Sequence, residues 1–320
     1  MAVKLDVKDK KILEQLDLNC RQSNSQISKI VGLSKDIVGY RIKNLEKQKI
    51  ILGYYSVLNI TKLGYVAYKV MLTFKDTTSK IEEEIINYLK KNKNVGWLVS
   101  CDGYYNLMVV VWVEDSFIFE KFFLEFLKKY SKYLKERDIL VITENHACRK
   151  SYLYDKKIDN LPDVFYGDEK KSRLDENELK IINFLANNSR IKLHKIAESL
   201  NLTGEAIAYR VRQLQKKEIV QSFRPIINSS LLGYEYYNVL FKLKKFNRVK
   251  EIFGFFKKSP NIIYFVKYIG NYDVGIDLEV RNAQELRKIM DGIKNLFSDV
   301  IESHNPVLIY QEHKLSYLPE

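Results

Sequence analysis

Two adjacent pairs of side chains, Lys43-Asn44 and Arg212-Gln213, each join a cation to a carboxamide. Those are the groups that hydrogen-bond the edges of guanine and adenine in the major groove of a duplex. Both pairs fall in segments with helical apolar spacing: Val38, Ile42 and Leu45 in the first, and Ile207, Val211 and Leu214 in the second. Taking these as buried puts Asp36, Tyr40, Lys43, Asn44 and Lys47 on the outward face of one helix, with Lys35 at its start. The other helix turns Glu205, Tyr209, Arg212, Gln213 and Lys216 outward. A face of this kind suits bases and phosphates, and the plain alternative is a solvated helix surface. Arg41 and Arg210 lie beside the apolar stripe, where a structural salt bridge and a phosphate contact are both open. Arg21 and Arg190 follow an earlier helix, as phosphate anchors or helix-end groups.

Other chemistry finds little support. No Ser-His-Asp set, phosphate-binding glycine loop or metal-ligand spacing occurs, so no catalytic residue, metal or cofactor is assigned. Cys20, Cys101 and Cys148 stand far apart without a C-x-x-C pair, which argues against a disulfide framework or structural zinc.

The elements that must position these side chains occur twice. A shift of 169 residues aligns Leu5-Asp6 with Leu174-Asp175, Asn19 with Asn188, Arg21 with Arg190, Tyr40-Arg41 with Tyr209-Arg210, and Leu63-Gly64-Tyr65 with Leu232-Gly233-Tyr234. The offset then becomes 167, pairing Gly103 with Gly270, Tyr105 with Tyr272 and His146 with His313. Each copy opens with an Asp N-cap and a helix, continues with a second short helix, and reaches the third helix through Ser34 or Thr203. A β-rich stretch follows, over 50–60 and 219–227, which spells a winged helix-turn-helix. The rest of each copy alternates as βαββαβ, an α+β, ferredoxin-like layer with one sheet face uncovered. The expected boundaries are 1–60 and 173–230 for the helix-turn-helix domains, 61–154 and 231–320 for the ferredoxin-like domains, and 155–172 for a linker without strand or helix periodicity.

In the third strand of the first ferredoxin-like domain, Met108, Val110 and Trp112 line one face, and Leu107, Val109, Val111 and Val113 the other, so both faces require burial. The second copy places Asp273, Gly275, Asp277 and Glu279 at the alternate positions. The expectation is that Met108, Val110 and Trp112 pack against another sheet, in a homo-oligomer or within the chain. The acidic face would then be wetter or paired with lysines such as Lys242 and Lys244.

Charge agrees with a polyanionic partner. The formal net charge is +13, and residues 1–60 and 172–230 supply excesses of five and four positive charges. No apolar run approaches the ~20 residues of a membrane span, and no apolar leader follows the charged segment 1–11. No membrane contact and a cytoplasmic location are therefore expected.

With these residues in hand, both copies resemble the Lrp/AsnC, or feast/famine, family of regulators. The resemblance rests on the Leu-Asp opening, the N-x-R pairs, the Tyr-Arg-Ile/Val segment of the third helix, and the Leu-Gly-Tyr entry to the sheet. It implies transcription regulation on double-stranded DNA through dimers or larger assemblies, with an amino acid or similar small molecule as effector. The corners Gly103, Tyr105, Asn106 and Gly270, Tyr272, Asp273 resemble the family's effector loop; Asn106 departs from its usual Asp, and a tight turn without ligand is the plain alternative. Siroheme decarboxylases also resemble this fold in two copies and handle an acidic tetrapyrrole with His and Arg, which would bring in His146, His313 and Arg149. A nucleoid-organising protein is a third reading.

Overall fold

The computed structural model describes residues 3–154, 163–167, 170–316 and 318. In the first copy Asp6 caps α1 (Val7–Leu18), its carboxylate accepting the Asp9 N–H at 2.7 Å. Ser23 and Gln26 close a capping box on α2 (Asn24–Val31), and Ser34 caps α3 (Lys35–Lys47). Each such cap satisfies backbone N–H groups the helix cannot, typically contributing about 1 kcal/mol. A single strand follows, β1 (Ile51–Leu58), then the one-turn helix α4 (Ile60–Leu63). The first ferredoxin-like unit runs β2 (Val66–Phe74), α5 (Ser79–Lys90), β3 (Val95–Asp102), β4 (Leu107–Val113), α6 (Ser116–Tyr130) and β5 (Leu134–Ala147). Within the expected linker, Asp163–Tyr166 forms a further strand, β6, paired to β5. That stretch is short and lacks alternation, and it becomes a strand only because the end of β5 offers it a free edge.

The second copy repeats the order. It contains α7 (Glu176–Asn187), α8 (Leu193–Leu200), α9 (Gly204–Lys216) and β7 (Val220–Ile227). Then come β8 (Glu235–Leu243), α10 (Val249–Lys258), β9 (Ile262–Ile269), β10 (Val274–Val280), α11 (Ala283–Phe297) and β11 (Ile301–Leu315).

The uncovered sheet faces find each other. The four-stranded sheets β5-β2-β4-β3 and β11-β8-β10-β9 join at both edges, β3 to β11 and β5 to β9, and close into a barrel. Closure leaves neither sheet with an open edge. It also explains the length of β5: its first half pairs with β2 from Leu134 to Ile142, and its second with β9 from Val141 to Ala147. Outside, α5 and α6 cover Val70, Leu72, Val109 and Val111, while α10 and α11 cover Val239, Phe241, Ile276 and Leu278. Inside, Met108 and Trp112 are buried and Val110 is half-buried, so the second sheet covering them is the chain's own. No contact between chains is needed to bury them.

The two helix-turn-helix units are equally interdependent. β1 pairs antiparallel with β7, setting Tyr54 opposite Pro225 and Tyr55 opposite Arg224, so the β stretch of each copy finds its partner in the other copy. Helix α1 packs on β7 and α7 on β1. The Cys20 N–H donates to the Phe223 carbonyl at 2.9 Å, and its counterpart, the Ser189 N–H, to Tyr54 at 3.1 Å. One apolar core runs from these helices through the β1–β7 ribbon into the barrel. Among the described residues, no helix is long and apolar enough to cross a membrane.

Candidate nucleic-acid interface

Helices α3 and α9 bury the apolar residues their spacing marks: Val38, Ile42 and Leu45 in one, Ile207, Val211 and Leu214 in the other. The opposite faces are open. Lys35, Lys43, Lys47, Arg212 and Lys216 are exposed, Asn44 and Gln213 are half-buried, and Tyr40 and Tyr209 keep 72% and 57% of their surface. Each copy therefore presents an aromatic ring, an amide and at least two cations on one helical face, the combination that reads base edges and grips phosphates.

Four other arginines, at two pairs of equivalent positions, have structural work. Arg41 reaches Asp6 at 2.7 Å and Asp9 at 2.8 Å, and Arg210 reaches Asp175 at 2.5 Å. The third helix of each copy, α3 or α9, is thus tied to the cap of that copy's first helix. The Asp9 N–H, and then the Arg41 guanidinium, hold the Asp6 carboxyl below its usual range; for Asp175, Arg210 acts first and the Glu178 N–H next. Arg21 donates to the Ser189 carbonyl and, at 3.1 Å, to that of Ile191. Arg190 returns the bond to the Cys20 carbonyl at 2.8 Å. Between them the Cys20 thiol meets the Ser189 hydroxyl at 3.0 Å, and burial pushes that thiol up to about 11. These side chains lock the two units together.

The glycine corners also meet each other. Gly103 and Gly270 have φ of +134° and +144°, backbone that a side chain would strain. The hydroxyls of Tyr105 and Tyr272 lie 3.4 Å apart; Tyr105 donates to Asp138 at 2.5 Å, and Asn305 donates to Tyr272 at 3.2 Å. Asn106 accepts the Phe74 N–H at 2.8 Å, and Asp273 the Leu243 N–H at 2.7 Å. The amide therefore does in the first copy what the carboxylate does in the second.

The histidines stand elsewhere. His146 stacks on Phe265 with centroids 4.5 Å apart and bonds Glu144 at 2.5 Å, while His313 bonds the Ser100 hydroxyl at 2.7 Å. Arg149 donates to the Asp17 carbonyl.

A feature the sequence reading missed lies between the barrel and the β1–β7 ribbon: a cavity of about 680 Å³. Neither histidine lines it. On the barrel side it meets Lys69, Trp97, Val110, Trp112, Asp277, Glu279 and Glu312, and on the ribbon side Leu52, Tyr55 and Arg224. Lys69 is 2% exposed; its ammonium donates to Asn238 at 2.9 Å. Burial lowers its pKa, and burial raises that of Asp277. Glu279 pairs with Lys150 at 2.6 Å and Arg224 with Asp163 at 2.5 Å. The acidic face of β10 is thus answered by Lys69 and Lys150, not by Lys242 and Lys244; Lys242 lies over the Tyr272 ring. A lone Lys at an inward position of the apolar strand β2 was the one available signal.

Comparison with known proteins accords with this geometry. Residues 5–46 match the AsnC-type helix-turn-helix domain, and 174–221 match a winged helix-turn-helix DNA-binding domain. The transcriptional regulator LrpA of Pyrococcus abyssi (strain GE5 / Orsay) is 36% identical over 112 residues, 35% of this chain and 78% of the relative. The transcriptional regulator FL11 of Pyrococcus horikoshii is 26% identical over 141 residues, 44% of this chain and 92% of the relative. Among solved structures, the siroheme decarboxylase NirDL shares the fold, with a TM-score of 0.66 at 12% identity over 98% of this chain and 94% of that one. The decarboxylase likeness spans more of both chains, but at 12% identity it is a likeness of fold, whereas LrpA is 36% identical over 78% of its length. The chain belongs to the Lrp/AsnC family of DNA-binding helix-turn-helix transcriptional regulators.

Proposed function

We propose that the chain is a sequence-specific transcriptional regulator whose α3 and α9 read two unequal half-sites of one operator. The observation that carries this reading is the sorting of cations. Arg21, Arg41, Arg190 and Arg210 are consumed inside the fold, while Lys35, Lys43, Lys47, Arg212 and Lys216 are left exposed on the two outward faces. The heads differ where it matters for readout, Lys-Asn against Arg-Gln, and a bidentate guanidinium–guanine contact contributes about 1–3 kcal/mol of discrimination.

The decarboxylase reading has less support. The NirDL likeness is one of fold, and His146 and His313 are turned away from the cavity into bonds with Glu144 and Ser100. The cavity is lined by five carboxylates, Asp17, Glu235, Asp277, Glu279 and Glu312, against three cations, Lys69, Lys150 and Arg224. An acidic tetrapyrrole would be repelled there. The corner groups at Tyr105, Asn106, Tyr272 and Asp273 face one another or cap strands, so this reading places no amino-acid effector on them.

The test is footprinting on DNA from the chain's own genome after selection of bound fragments. Discrete protected sites with two dissimilar halves are expected. Uniform coating without preferred positions would replace a promoter-specific regulator by a nucleoid-organising protein.

A further inference from the structure

The cavity between the barrel and the β1–β7 ribbon is amphipathic by construction. Positions equivalent in the two copies line it with opposite chemistry: Val110 answers Asp277, Trp112 answers Glu279, and Asn145 answers Glu312. One side is aromatic and aliphatic, and Phe165 of β6 packs on Trp112 with ring centroids 5.7 Å apart. The other side is acidic. Its cations are already engaged: Lys69 with Asn238, Lys150 with Glu279, and Arg224 with Asp163.

Two acceptors are left over. Glu312 forms no ion pair among the described residues; it is exposed at the cavity wall, and its carboxylate accepts the Trp97 indole N–H at 3.0 Å. Asn145 leaves its buried side-chain carbonyl without a donor among the described residues. A buried acceptor without a donor costs about 1–3 kcal/mol, so the site as it stands calls for N–H groups. Surrounding protein raises the pKa of Glu312, and that of Asp277, by desolvation, an unfavourable state that an arriving positive charge relieves. At about 680 Å³ the space lies in the range of small-molecule sites and far exceeds a trapped water.

We infer that this cavity is a binding site for an amphipathic organic cation, its apolar body against Trp112, Val110 and Phe165 and its ammonium group donating to Glu312. The aromatic faces favour such a ligand further, because a cation near an indole or phenol ring is attracted to its π-face. The inference does not depend on how the chain holds DNA.

The chain contains two tryptophans, Trp97 and Trp112, and both line the cavity, so intrinsic fluorescence reports occupancy directly. Titration of the full chain uses three probes of matched skeleton: 4-phenylbutylamine, neutral 4-phenylbutanol and 4-phenylbutyrate. The expected result is saturable quenching or shift by the amine, with a Kd at least about ten-fold below that of the carboxylate, equivalent to about 1.4 kcal/mol. Glu312→Gln should weaken the amine by about ten-fold and leave the alcohol unchanged, as should Asp277→Asn to a smaller degree. The far-ultraviolet spectrum of each variant shows that it is folded. Tighter binding of 4-phenylbutyrate, no saturable signal with the amine, or unchanged amine affinity in folded Glu312→Gln each overturns the inference.

Discussion

Replacing Lys43 and Arg212 together by alanine tests the proposed reading heads through their salt dependence. Five exposed cations lie on the two helices: Lys35, Lys43, Lys47, Arg212 and Lys216. If each neutralises one phosphate, log K against log salt has a slope of about −4.5, since each contact releases about 0.9 counterion. Affinity then falls about 500-fold between roughly 50 and 200 mM salt. The double variant keeps three cations; its slope becomes about −2.7 and the fall about 40-fold. Neither side chain touches the core, so the variant should unfold where the parent does. The measurement is fluorescence anisotropy of a labelled operator fragment at four or more salt concentrations. Equal slopes for parent and variant would show that α3 and α9 do not face the phosphates, and the assignment of the heads would be lost even if the chain still bound DNA.

Two further outcomes follow from groups the fold consumes. Arg21→Ala and Arg190→Ala each strand carbonyls between the helix-turn-helix units, and each should cost about 1.5–3 kcal/mol in denaturant unfolding while leaving the salt slope unchanged; a slope shallower by about 0.9 per variant would instead make them phosphate contacts. Lys69→Met removes the ammonium that faces Asp277 in the barrel and should cost about 3–5 kcal/mol at neutral pH. Because the folded Asp277 already titrates above its ordinary value, its charging lowers stability as pH rises through the folded pKa, and the variant raises that pKa further. The deficit should therefore shrink on acidification toward about pH 4, and a deficit independent of pH would sink the buried-charge account.

How much of this was legible in the sequence depended on whether the cause was local. Caps and helical stripes are local, so Asp6, Ser34, Asp175 and Thr203 announce their helices, and the outward residues of α3 and α9 lie on the side opposite the apolar triplets. The βαββαβ order was equally readable, because alternation and turn residues mark it within each copy. Partnership between copies was not readable. The stretch after α3 suggests a wing, but a strand cannot state that its hydrogen bonds go to a segment 169 residues away. Lys135 to Asp138 are too polar for a strand by pattern, yet they pair along Thr73, Leu72 and Met71 because the barrel offers that edge. Arg21 and Arg190 carried two open roles, and only the geometry between the units decides for the carbonyl clamp.

The duplication itself explains why the cavity can exist. Three contacts join equivalent positions of the two copies: Cys20 with Ser189, Lys69 with Asn238, and Tyr105 with Tyr272. Residues that meet their own counterparts lie on the axis relating the halves. In a dimer of identical chains that axis would force the same side chain on both sides, and Lys69 would face a second ammonium deep in the barrel. The cost of two like charges buried together would be several kcal/mol, with no hydrogen bond gained. Joined in one chain, the copies can place an ammonium on one side and a carboxamide on the other, and can set Trp112 opposite Glu279 within a single cavity. The same freedom lets α3 carry Lys-Asn while α9 carries Arg-Gln. Covalent linkage therefore does more than raise the effective concentration of two halves. It permits an asymmetric interior and an asymmetric pair of exposed helix faces on one symmetric scaffold, and the hydrogen bond from Lys69 to Asn238 is where that departure from symmetry reaches the axis itself.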